Sequence, residues 1–359
     1  MMLTRLIVLL SGLVFSMLGF AQNNSGIDIK IKALKNQVNS TEDIWVKITL
    51  HNRSGETQKI LKWYLPDAEG NIEDDIFSIN RDGEAVMYLG RHYKRPAATD
   101  ADYLELPDNK KITYTAELSS VYDFSTAGQY QIEFSAHNFA LVTKNQNRGN
   151  APDFSASLKS QNQTYILLTQ ARKGKPCNPR KEDCGGNGGG EDVSFTGSCS
   201  NSEQNAVLSA LAAAKLMAND SVSYLNGSTG SRYTTWFGEY ASSRWSKVGS
   251  NFDAIKDALD NKPKTFDCSC NQNYFAYVYP SQPYTVYLCR VFWQVPTTGT
   301  DSKAGTIIHE ISHFNVVAGT DDIVYGQSGA KALAESNPSD AIKNADSHEY
   351  FAENTPSLD

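Results

Sequence analysis

Two histidines four residues apart, with a glutamate beside the first, are the residues of this chain best suited to chemistry: His309-Glu310-Ile311-Ser312-His313. On a helix, positions i and i+4 share a face, so both imidazoles can grip one ion while Glu310 reaches a water bound to it. A zinc ion held this way lowers the pKa of its water to about 7 and polarises a carbonyl, which is metal-assisted hydrolysis. Two imidazoles leave the ion one protein ligand short, because catalytic zinc sites usually have three. A His-x-x-Gly-x-x-His continuation is excluded, since Val316 and Gly319 stand where Gly and His are needed. A carboxylate from a later helix, Glu335 or Glu349, could complete the set. Nearer lies Gly319-Thr320-Asp321-Asp322-Ile323-Val324-Tyr325-Gly326, whose glycines let the chain turn back and present a carboxylate. The competing reading is an ordinary helix carrying two unrelated histidines.

The elements around these residues fall into two regimes. From Asp28 to Leu168, short runs alternate apolar and polar residues (Ile27–Ile31, Ile44–Leu50, Ile112–Leu118, Tyr130–Phe134), with turn-rich pieces such as Arg81-Asp82-Gly83 between them. Period two with regular turns predicts an all-β, Ig-like sandwich. Lys173 to Gly190, with Pro176, Pro179 and a glycine run, cannot build a core and reads as an exposed linker. Beyond it the pattern is α+β. Ser200 and Glu203 have capping-box spacing before a helix, and a second helix is expected through Tyr233 to Leu259. A small sheet is expected from Thr265–Cys270, Tyr274–Tyr279 and Tyr284–Trp293. Ser302 can cap the helix that carries the His pair.

With 359 residues the chain can bury two cores. A net charge of -7 argues against nucleic acid or an anionic membrane as partner and favours cationic substrates. Arg5, the apolar run Leu6 to Phe20, and Gly19-Phe20-Ala21 read as a signal peptide over 1-21, cleaved after Ala21, so the chain is expected to be secreted. The expected organisation is therefore 1-21 signal peptide, 22-172 β-sandwich, 173-190 linker and 191-359 α+β domain carrying the His pair. All six cysteines lie at or beyond Cys177, and export favours disulfides over a zinc cluster.

The His-Glu-x-x-His motif followed by Gly-Thr-x-Asp-x-x-Tyr-Gly resembles the joint signature of the aspzincins, the deuterolysin-type zinc metalloendopeptidases. The C-terminal half is most similar to peptidyl-Lys metalloendopeptidases and related secreted bacterial toxins. Tyr233–Gly238, Phe275–Pro280, Pro296–Asp301 and Asn344–Phe351 share the resemblance. It implies a zincin-like α+β domain with one zinc ion per chain, held by His309, His313 and Asp322. It also implies Glu310 as general base and Tyr325 as the hydroxyl that stabilises the oxyanion. Asp346 and Glu349 would form the pocket for a lysine just after the scissile bond; read alone they are a solvated helix face. The family pairs Cys199 with Cys268 and Cys270 with Cys289, leaving Cys177 and Cys184 to close a loop in the linker.

On this reading the β-region is an intramolecular inhibitor, silencing the enzyme through a lysine offered to the acidic pocket or by steric cover. The bonds before Lys173, Lys175 and Lys181 are then autoprocessing candidates. The mature part, of roughly 20 kDa by the position of the linker, is expected to act as a monomer on proteins or peptides. A permanently attached binding module, or a non-catalytic secreted binding protein, are the alternatives.

Overall fold

The computed structural model describes residues 26–137, 142–144, 157–172 and 193–359. The expected signal peptide, the Cys177–Cys184 bridge and the processing sites at Lys173, Lys175 and Lys181 lie outside the described residues.

The N-terminal region is β-rich. Ile27–Ala33, Trp45–Asn52 and Lys111–Glu117 form one antiparallel sheet. Gly128–His137 centres another, pairing antiparallel with Phe77–Arg81 and with Thr164–Leu168. Alternate residues point inward, as in the buried Ile27, Ile29, Ile31 and Ala33 of the first strand, and both sheets contribute to one core with Ile48, Ile79, Tyr130 and Ile132.

The C-terminal region has its own core, built mainly from helices. Ser200 caps the helix Asn201–Leu225 by accepting from the Glu203 amide, while the Glu203 carboxylate accepts from the Ser200 amide, which satisfies donors the first turn leaves open. The single helix expected over Tyr233 to Leu259 is instead two, Ser231–Phe237 and Ser242–Asn261. Gly238 separates them with φ 78°, where a Cβ would stand 2.2 Å from the Ala334 carbonyl oxygen, so the chain turns where the apolar period alone read straight through. The strands are also shorter than their apolar runs: Lys264–Asp267, Ala276–Val278 and Thr285–Leu288.

These strands join Val193–Thr196 in a five-stranded sheet whose last strand, His92–Lys94, comes from the N-terminal region. It pairs antiparallel with Ala276–Val278 in the register Ala276↔Lys94, Tyr277↔Tyr93 and Val278↔His92. Cys199 is bonded to Cys268 and Cys270 to Cys289.

Candidate metal centre

The helix Lys303–His313 is the centre of the C-terminal core. Ser302 caps it by accepting from the Gly305 amide at 3.0 Å, and every residue from Lys303 to His313 is buried. A helix buried on all sides must satisfy its polar side chains internally, and this one carries His309, Glu310 and His313, each 0 % exposed.

The helix ends at Phe314, and the chain then doubles back. Gly319 at φ 59° permits the turn. The Thr320 hydroxyl lies 2.6 Å from that of Ser312, and the Thr320 amide donates to the Ser312 carbonyl. Asn344 fixes the next residues, its Oδ1 accepting from the amides of Ile323 and Val324. Asp322 is thereby carried back over the helix, with its Oδ1 3.0 Å from His309 Nε2 and 3.5 Å from His313 Nε2.

Those two nitrogens, both Asp322 oxygens and both Glu310 oxygens are buried without a hydrogen-bond partner. Ligand atoms of a tetrahedral zinc ion with bonds of about 2.05 Å sit about 3.3 Å apart. The two spacings to Asp322 bracket that value, so the donor set fits a small divalent cation. His313 Nδ1 lies 2.7 Å from the Thr320 carbonyl, which selects the tautomer that leaves Nε2 free for a metal. His309 Nδ1 lies 3.0 Å from Asp346 Oδ1 and 3.2 Å from Glu349 Oε2, carboxylates that orient the ring from behind.

The electrostatics divide the two carboxylates. Burial would raise the Asp322 carboxyl, but His313 and His309 hold it well below the usual carboxylate range, as an anionic donor. Burial pushes Glu310 up to about 7, against the pull of both histidines. A group poised there can accept and release a proton near neutrality.

The sequence expectations meet at one place. Tyr325, the residue immediately before the following helix Gly326–Ser336, donates its hydroxyl to the Tyr93 carbonyl at 2.8 Å. Asp346 and Glu349 lie in the first and second turns of the helix Ala345–Glu353, both buried rather than on a solvated face. The two alternative ligands divide: Glu349 is behind His309, and Glu335 is exposed on another helix.

Four further participants were not among the expected site residues, although Asp301 ends one of the stretches that share the family resemblance. Lys94 is buried with its Nζ 2.6 Å from Glu349 Oε2, 3.7 Å from Asp346 Oδ1 and 3.4 Å from Asp301 Oδ1. Burial would lower the Lys94 ammonium, yet Asp346, Glu349 and Asp301 hold it well above its ordinary value. Asp301 is oriented by the Tyr350 hydroxyl at 2.7 Å. The His92 ring lies 4.9 Å from that of His313, centre to centre. Tyr93 completes the group. The only available hint was that some lysine of the N-terminal region would meet the acidic pair; which lysine depends on pairing between distant strands.

A buried helix presenting two imidazoles, a carboxylate returned by the following turn and an unpartnered glutamate beside them supply the donor set and the base that a metallopeptidase centre would need. Residues 223–353 match the family model described as lysine-specific metallo-endopeptidase. The chain is similar to an extracellular protease of Aeromonas hydrophila, 43% identical over 99% of this chain and 98% of the relative. It is also similar to a peptidyl-Lys metalloendopeptidase of Armillaria mellea, 38% identical over 88% of each. Among solved structures, a zinc peptidase from Grifola frondosa is 48% identical, covering 45% of this chain and 100% of that one with a TM-score of 0.43. The chain belongs to the aspzincin family and is a metalloendopeptidase.

Proposed function

We propose that this protein is secreted as a zymogen, cleaved from its signal peptide, and hydrolyses proteins or peptides on the amino side of lysine. The observation that carries the catalytic reading is the convergence of His309 Nε2, His313 Nε2 and the Asp322 carboxylate, buried and without hydrogen-bond partners. These three would hold one zinc ion, which when bound supplies a Lewis acid and a water acidified to a pKa of about 7.

This chain's own groups do the rest. Glu310 takes the proton of the attacking water and returns it to the departing amine, a role suited to a carboxyl raised to about 7. The Tyr325 hydroxyl donates to the carbonyl oxygen as negative charge grows there. Asp346 and Glu349, buried three residues apart on one helix, would bind the ammonium of a lysine following the scissile bond. Support for that specificity is the pocket's chemistry, since it already accommodates a lysine, and the peptidyl-Lys activity named for the Armillaria mellea relative. Secretion is supported by the leader-like residues 1-21 and by the extracellular protease of Aeromonas hydrophila, which matches 99% of this chain. In this reading the β-rich 22-172, an Ig-like sandwich, is an inhibitory propeptide released by cuts before Lys173, Lys175 or Lys181.

Digestion of a mixed peptide library, with and without a zinc chelator, tests the proposal. The new N-termini should be strongly enriched in lysine, and the chelator should abolish cleavage. Chelator-resistant cleavage would refute the metal mechanism, and N-termini without lysine enrichment would refute the specificity.

A further inference from the structure

The five-stranded sheet of the C-terminal region turns one face to its core, where Ala276, Val278, Val286 and Leu288 are buried. By alternation Tyr277 and Tyr287 point to the opposite face, with Tyr279 beside them. Tyr277 and Tyr287 are partners across the two strands, their rings 4.6 Å apart and within 2° of parallel. Tyr279 stands edge-on to both, at 5.9 Å from each. Three rings of the C-terminal region thus make a fixed aromatic corner next to the edge strand Ala276–Val278.

An arginine occupies that corner. Arg91 donates from Nε to the Tyr279 hydroxyl at 2.6 Å, and its guanidinium carbon lies 4.7 Å from the Tyr277 ring centre and 5.4 Å from that of Tyr279. It also donates from Nη1 to the Tyr93 hydroxyl at 3.3 Å. Among the described residues its partners are hydroxyls and rings, with no carboxylate, so shape is recognised as well as charge. A planar guanidinium can stack on one ring while donating in its own plane to a second group, which an ammonium cannot do. Arg95 differs: it lies over Tyr274, but also over Trp63, and it bonds Glu73, so its seat depends on the N-terminal region.

Strand register relates the corner to the metal centre. Arg91 stands three positions before Lys94, whose ammonium meets Glu349 and Asp346, and the pairs Tyr277↔Tyr93 and Val278↔His92 fix that offset. An extended chain added to the same edge, with a lysine at those carboxylates, carries its third residue before the lysine to Tyr277 and Tyr279.

We propose that Tyr277, Tyr279 and Tyr287 form a second specificity site that takes arginine three positions before the lysine, so that the favoured substrate sequence is Arg-x-x-Lys. This rests on the reading of the site as a lysine-directed peptidase. Tyr277 and Tyr279 touch the guanidinium, and Tyr287 is a positioning residue that backs Tyr277.

The test changes the substrate before the protein. Two fluorogenic peptides, one containing Arg-Ala-Ala-Lys and the other citrulline-Ala-Ala-Lys, differ only in the charge of one side chain. The arginine peptide should have the larger kcat/KM by about fivefold, as for a solvent-exposed cation–π contact. The difference should lie in KM, because this contact is made equally in ground and transition states. Tyr277→Leu should bring the ratio to about one, and Tyr279→Phe, which keeps the ring and loses the hydroxyl, to an intermediate value. In the library digestion, arginine should be enriched at the third residue on the amino side of the cut. Equal kcat/KM for the two peptides, or an undiminished ratio in a folded, zinc-loaded Tyr277→Leu enzyme, would overturn the second site and leave these rings as a seat for the N-terminal region alone. Cuts without lysine after them would instead overturn the lysine-directed reading, and with it this site, which is counted from that lysine.

Discussion

The chemistry at the residue scale depends on which buried groups have partners. Lys94 and Glu349 answer each other across 2.6 Å, while Glu310 has two buried oxygens with no partner and a carboxyl raised to about 7. Burying a carboxylate without partners is costly, and such sites are kept where the group has work to do. Glu310→Gln keeps the side chain's size but removes its basicity. Peptide hydrolysis should fall by about 10²–10⁴-fold, the usual worth of a positioned general base, with zinc content by elemental analysis unchanged. The same chain should accumulate as full-length precursor. Retained activity, or zinc lost along with activity, would show that Glu310 is not the base.

Elements hold these residues in place through their seams. The helix Ala345–Glu353 carries Asp346 and Glu349 toward the site and, between them in sequence, turns His348 toward Ser242–Asn261. His348 is 0 % exposed, its ring 5.1 Å from Phe237 and 5.5 Å from Phe252. Its Nδ1 is 2.9 Å from the Asn344 carbonyl and its Nε2 is 2.9 Å from Asn251 Nδ2, an arrangement for a neutral ring that donates once and accepts once. Burial lowers its pKa from 6.5 to about 4. The unfolded chain therefore binds a proton that the folded chain refuses. This contribution to stability is complete above about 6.5 and is lost as pH falls toward 4, up to about 3 kcal/mol. Melting temperature measured across that window should drop on acidification, and His348→Gln should flatten the drop. An unchanged slope in the variant would assign the acid sensitivity to other groups.

Over the whole molecule, the described residues form two cores, and the strand His92–Lys94 of the N-terminal region enters the sheet of the other. The disulfide Cys270–Cys289 ties the ends of Lys264–Asp267 and Thr285–Leu288 beside the edge strand that receives His92–Lys94. Replacing both cysteines by serine should cost about 3 kcal/mol, since the bridge closes a loop with a sequence separation of 19, and should lower the melting temperature by about 6–12 °C. A shift under about 2 °C would mean that the sheet holds this edge without the bridge.

Much of this was legible in the sequence where the controlling interactions are short-range. Helical spacing put His309 and His313 on one face, the glycine-bounded turn brought Asp322 within reach of them, and period two marked the β-rich region. The break at Gly238 was missed because the apolar period continues across it while the backbone does not. Tertiary structure alone decided which lysine meets the acidic pair. Lys94 and Glu349 are 255 positions apart, and no local spacing encodes a contact made by adding a strand of one region to a sheet edge of the other. Side-chain types along the chain determined what the site can do; long-range pairing determined what occupies it, because edge hydrogen bonds are available to any extended segment and only the folded arrangement chooses among them.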